Sequence, residues 1–228
     1  MKEATSETSA DRLTEINARI AAAAKLPRRN ADDIHLIAVS KTRTADEIEP
    51  LILAGHRLFG ENRVQEAASK WPALKAKNSD IRLHLIGQLQ SNKADEAVAL
   101  FDVIHSVDRL SLITALGKAM RAQDKYVPCF LQVNIGAEDQ KGGCPVGQIA
   151  DLLEAARDND VLLAGLMCIP PAGIEPAPFF ALLAELAARH RLTDLSMGMS
   201  DDFETAIMLG ANYIRVGTAL FGESASGI

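Results

Sequence analysis

The apolar run IHLIAVSK, residues 34–41, ends on a lysine. Side chains alternate along a strand, so Ile37, Val39 and Lys41 share one face while Ala38 and Ser40 take the other. If the shared face lines the inside of a barrel, Lys41 stands at its upper rim. A partly desolvated amine near other cations has a lowered pKa and can attack a carbonyl to form a Schiff base. Taken alone, the stretch fits a solvated lysine at a strand end more simply.

A second constellation lies near the C-terminus, in SMGMSDD (196–202) and RVGTALFG (215–222). Both run into short helical patterns, and backbone amides at helix N-termini face anions such as phosphate. Gly217 permits close backbone approach, and Ser200 and Thr218 offer hydroxyl donors. Ser200 also suits the N-cap of a helix over DDFETAIM, a role compatible with phosphate binding. Arg215 lies two residues before Gly217 and faces the same way as Tyr213. Its guanidinium stays protonated at any relevant pH, so a pyridine nitrogen beside it would accept a hydrogen bond without gaining a proton. A plain ion pair with one of the many carboxylates is the alternative.

Other chemistries lack their residues. The histidines at 35, 56, 84, 105 and 190 have no metal-ligand spacing, and neither HExxH, G-x-S-x-G, GxGxxG nor a Walker motif occurs.

Elements that position these groups alternate along the chain. An amphipathic helix over residues 10–25, capped from Thr8, leads. Strand-then-helix units follow, beginning with IHLIAVS and TADEIEPLILAG, the latter carrying a Thr44–Glu47 capping box and a Gly55 stop. HRLFG, RLHLIG, FDVIHSV, VPCFLQVN, VLLAGLMCI, LTDLSMG and NYIRVG each precede a helical pattern, which makes eight units. Short, continuously apolar strands in eight βα repeats predict a single α/β domain over residues 1–228, a (β/α)8 TIM barrel with a leading N-terminal helix. An open doubly wound sheet would more typically show five or six units and a Gly-rich first turn. In a barrel the active face is where strands run into helices. The polar residues there are Lys41, Glu61, Asn62, the segment 87–92, Asn134, Ser200 and the segment 215–218, with Met167 among them.

Composition agrees. The 228 residues are 48% hydrophobic and 24% charged, which suits a globular chain with a large core. A net charge of −6 argues against general nucleic-acid binding. No leader-like N-terminus and no apolar run of membrane-spanning length predict a cytoplasmic protein away from the membrane. Cys129, Cys144 and Cys168 are odd in number and far apart, as expected of packing residues in a reducing compartment.

Taken in order, AVSKT, FGENRVQE, HLIGQLQSNK, GLMCIPP and LSMGMSDDFETAIMLGANYIRVGTALFG resemble the pyridoxal phosphate homeostasis protein family, whose fold is like the N-terminal barrel of alanine racemase. The resemblance runs from about residue 10 to residue 222. It implies a Schiff base between Lys41 and pyridoxal 5′-phosphate, a phosphate cradle of Ser200, Gly217 and Thr218, and Arg215 at the pyridine nitrogen. Asn62 and Met167 are implied to line the ring pocket. The chain departs from the family pattern at Arg63, where an aromatic is usual, at Gln88, where proline is common, and in the loop AEDQKGGCP.

Racemisation needs proton transfer on both faces of a carbanion, hence a second base opposite the lysine. Tyr126 precedes a strand and belongs at the opposite end of the barrel. Tyr213 sits about two residues, roughly 6.6 Å, deeper than Arg215. With no second base in place, the leading expectation is a cofactor carrier that buffers pyridoxal phosphate or delivers it to apo-enzymes, and the resemblance implies a monomer. A weak amino-acid racemase is the enzymatic alternative, and a lysine Schiff-base aldolase a more distant one.

Overall fold

The computed structural model describes residues 8–222. After helix α1 (Ser9–Lys25), strands and helices alternate: β1 His35–Val39, α2 Ala45–Leu53, β2 Leu58–Glu61, α3 Val64–Lys77, β3 Arg82–Leu85, α4 Ala94–Leu100, β4 Val103–Val107 and α5 Leu110–Gln123. The second half comprises β5 Cys129–Gln132, α6 Ile149–Asp158, β6 Leu163–Met167, α7 Ala177–Arg189, β7 Asp194–Ser196, α8 Phe203–Met208, β8 Tyr213–Val216 and α9 Thr218–Phe221. The eight strands are parallel and close in chain order, with β1 pairing to β8 at His35–Tyr213 and Ile37–Arg215. This is the expected (β/α)8 barrel.

Local sequence sets the helix starts. Thr8 and Asp11 cap α1 reciprocally, as Thr44 and Glu47 cap α2, each satisfying N–H groups that the first turn leaves open. Helix α1 packs against α8, α9 and α2, filling the ring between the last and first repeats, and Arg19 ties it to Glu204 of α8 at 2.7 Å. Outward strand residues such as Phe59 and Leu83 bury against helix residues such as Trp71 and Leu51, all fully buried. Each such side chain contributes about 1.5–3 kcal/mol by leaving water. Cys129, Cys144 and Cys168 are buried free thiols, their pKa values pushed up to about 12 by burial. Among the described residues no helix is long and apolar enough to cross a membrane.

Two local expectations fail. Strand β1 stops at Val39, so Lys41 sits in the following turn instead of on the strand. Strand β2 runs Leu58–Glu61, so Glu61 lies on the outward face with Phe59, against α3, and not at the barrel mouth.

Candidate functional site

At the upper mouth, where strands run into helices, lies a cavity of about 530 Å3. Lys41, Asn62, Ser200, Arg215, Gly217 and Thr218 all line it. Met167 does not: it is fully buried at the end of β6, in register with Gln132 and Ser196. Gln88, Gln132 and Lys141 add further polar wall. Gln88 donates to Gln132 Oε1 at 2.7 Å, so the glutamine that stands where the family favours proline joins the wall, while Arg63 is exposed at the start of α3 and does not reach it.

The turn bearing Lys41 is fixed from outside the barrel. Ser40 Oγ donates to Glu61 Oε1 at 2.7 Å, Trp71 Nε1 donates to the same oxygen at 2.9 Å, and Lys70 Nζ pairs with it at 2.8 Å. Lys70 also donates to the carbonyls of Ser40 and Arg43, at 2.9 and 3.0 Å. Thr42 N donates to Glu66 Oε1 at 2.6 Å. Thr42 itself has φ +61°, a left-handed conformation that is strained for a β-branched residue. Glu61 is thus a support for the lysine turn and not a wall of the cavity. Alternation puts Glu61 on the outward face with Phe59, and Trp71 and Lys70 in the next helix carried no signal that they would receive it. The Lys41 amine itself has no protein partner among the described residues.

Arg215 is held from within. Its Nη1 donates to Ser196 Oγ at 2.7 Å and its Nη2 to the Cys168 carbonyl at 2.9 Å. Burial lowers its pKa, opposed by the charge of Asp202, and it makes no ion pair with a carboxylate among the described residues. Neutral acceptors therefore fix a cation, leaving the guanidinium's charge available to the cavity.

Ser200 does not cap α8. Asp202 occupies the N-cap position, and its carboxylate accepts from Met199 N at 2.6 Å. The Ser200 and Thr218 hydroxyls donate to no described residue. Gly87 brings two loops together: a Cβ there would lie 2.3 Å from Asn62 O, so glycine sets where Asn62 enters the wall. Asn134, in contrast, spends its side chain on its own loop, through Glu138 N and O.

The family pattern of the alanine racemase N-terminal domain matches residues 13–225. A pyridoxal phosphate homeostasis protein of Pseudomonas aeruginosa is 40% identical over 225 residues, 94% of this chain and 95% of its own length. The chain belongs to the pyridoxal phosphate homeostasis protein family. A solved structure of the family, PipY of Synechococcus elongatus with PLP bound, aligns with TM-score 0.78 and 40% identity over 91% of this chain and all of that one. Alanine racemase of Clostridium difficile, at 11% identity and TM-score 0.68, shares the barrel; the alignment covers 92% of this chain and 57% of the racemase.

Proposed function

We propose that this protein binds pyridoxal 5′-phosphate reversibly, as a Schiff base on Lys41, and buffers it or delivers it to enzymes without turning substrates over. The observation that carries the reading is the donor set around one cavity: a lysine amine and two hydroxyls that no described residue engages, and a buried guanidinium held by neutral acceptors. These match an aldehyde, a ring nitrogen and a phosphate. In this reading Lys41 holds the aldehyde carbon, Arg215 donates to the ring nitrogen, and Ser200, Gly217 and Thr218 receive the phosphate. Asn62 flanks the ring and Met167 backs its floor. The names of the Pseudomonas and cyanobacterial relatives support the assignment.

The cofactor supplies an electron sink when its ring nitrogen is protonated, and a guanidinium at that nitrogen works against protonation. Among the described residues no imidazole, phenol, carboxylate or thiol lines the cavity. The second amine there, Lys141, is engaged by Glu138 at 2.7 Å and by the Pro170 carbonyl at 3.0 Å. Both observations favour carriage over racemisation. The reading places the chain in the cytoplasm as a monomer, and its free thiols suit a reducing compartment.

Absorption spectra of the protein mixed with pyridoxal phosphate test the assignment. Wild type and Lys41→Ala should differ by complete loss of the visible band of lysine-bound cofactor, while Lys141→Ala keeps it. A Lys41→Ala protein that retains the band overturns the reading. Turnover of one amino acid by wild type, abolished in Lys41→Ala, would replace carriage by racemisation.

A further inference from the structure

The interior of this barrel carries a continuous polar file where branched aliphatic residues are usual. Arg215 Nη1 donates to Ser196 Oγ at 2.7 Å, Ser196 Oγ lies 2.9 Å from His105 Nδ1, and His105 Nε2 lies 2.9 Å from His84 Nδ1. All four side chains are buried, and they come from β8, β7, β4 and β3. Phe130 stacks on the His105 ring at 4.4 Å and 6°, fixing its plane.

The proton positions follow from one end. A guanidinium only donates, so Ser196 Oγ accepts from Arg215. The arrangement that also satisfies the hydroxyl proton turns it to His105 Nδ1; in the other, His105 Nδ1–H donates to the second lone pair and that proton is orphaned. Burial holds both imidazoles neutral, His84 with a pKa lowered to about 3 and His105 well below its ordinary value. A neutral His105 that accepts at Nδ1 donates from Nε2 to His84 Nδ1. His84 must then carry its own proton on Nε2.

That last donor has no acceptor among the described residues. His84 lines a second cavity, of about 440 Å3, at the lower mouth where strands begin. The Tyr213 hydroxyl on the same wall is also without a partner. Arg82, Lys125 and Asp102 line the same cavity; Lys125 Nζ donates to the Ala99 and Phe101 carbonyls at 2.9 and 3.0 Å, and burial and the charge of Asp194 raise the Tyr213 pKa. Asp102 is already engaged by Lys75 at 2.7 Å and by Leu83 N at 2.7 Å, whereas its contact with Arg82 is a long 3.8 Å. The wall thus carries two cations to one acid, beside two unengaged donors, His84 Nε2 and Tyr213 Oη. Tyr126, Tyr213 and His35 give the cavity flat walls, the last two 4.7 Å apart.

We propose that the lower mouth is a second ligand site, for a small aromatic carboxylate held by His84 Nε2 and Tyr213 Oη, coupled through His105 and Ser196 to Arg215. A carboxylate at Nε2 favours the tautomer that Arg215 imposes from above. Occupancy of either end therefore aligns the same file, and the coupling is positive and reciprocal. The lower site stands without the Lys41 assignment; only its effect on cofactor affinity rests on that reading.

Nitrogen-15 NMR of the cofactor-free full-length protein, titrated with benzoate, tests it. Expected are Nε2–H tautomers for His84 and His105 and a saturable shift of the His84 Nε2–H and Arg215 side-chain signals. Tyr213→Phe and Arg82→Ala should each weaken benzoate binding, and both are mild enough to keep the fold. Ser196→Ala should leave benzoate binding at His84 intact while abolishing the response at Arg215. Separately, saturating benzoate should tighten pyridoxal phosphate binding by roughly fivefold in wild type and not in Ser196→Ala. An Nδ1–H tautomer at His84, no saturable shift, binding untouched by Tyr213→Phe, or inorganic phosphate matching benzoate would each overturn the site. An Arg215 response that survives Ser196→Ala would overturn the coupling.

Discussion

Two buried polar networks hold the two groups that face the upper cavity, and they do so by opposite means. Outside the strands, a full ion pair between Glu61 and Lys70 anchors the turn that carries Lys41. Inside the barrel, a file of neutral groups anchors Arg215. The outer pair is close to its helix and satisfied by Trp71 and Ser40, though Glu61 Oε2 is left without a partner. The inner file has one charge at its top, and its imidazoles are kept neutral by burial. A charged network can be lost with either partner, whereas a neutral one fails mainly through orphaned donors and acceptors, and through acid.

The largest expected effect follows from removing one side of the outer pair. Glu61→Ala removes the nearer counter-ion of a Lys70 ammonium that is only 11% exposed, leaving Glu66 at 3.4 Å, and orphans Trp71 Nε1 and Ser40 Oγ, so it should cost about 3–5 kcal/mol in urea unfolding. A loss below about 1 kcal/mol would show that the turn is held some other way. Ser196→Ala interrupts the inner file and should cost about 1–3 kcal/mol, because Arg215 and His105 both lose a buried partner.

Acid should separate the networks. His84 and His105 have folded pKa values lowered from 6.5 by burial, to about 3 for His84. Below pH 6.5 the unfolded chain binds protons that the folded one refuses, so their stabilisation is complete above that pH and declines toward pH 3. The slope is about 1.4 kcal/mol per pH unit for each fully titrating histidine. His84→Gln should flatten the stability profile between pH 6.5 and 4.5, and an unchanged slope would locate the acid sensitivity elsewhere. The smallest effect concerns Thr42. Thr42→Gly relieves a positive φ but adds backbone entropy to the unfolded chain, so a net change under about 1 kcal/mol is expected.

What could be read from sequence depended on range. The capping boxes at Thr8 and Thr44 are local, and so were visible, as were eight alternating units and the groups lining the upper cavity. Glu61 stands at the end of β2, where the chain meets the mouth, but it alternates with outward Phe59, and its partners Lys70 and Trp71 lie in the next helix. Ser200 suits a helix N-cap as well as a phosphate donor, and Asp202, two residues on, is of an equally suitable type and takes the N-cap position. The inner file could not be seen at all: Ser196 and His105 are 91 residues apart, and only the register of separate strands brings their side chains together.

The three cysteines offer a last consequence. Each is buried with its thiol pushed up to about 12, so in the folded chain none supplies a reactive thiolate near neutral pH. Cys129 begins β5, Cys168 follows β6, and Cys144 bridges to Val133 beyond β5. An alkylating reagent can therefore reach them only when that flank of the wall opens. Their labelling rates would time the breathing of one side of the barrel, a clock built into the chain that needs no introduced cysteine.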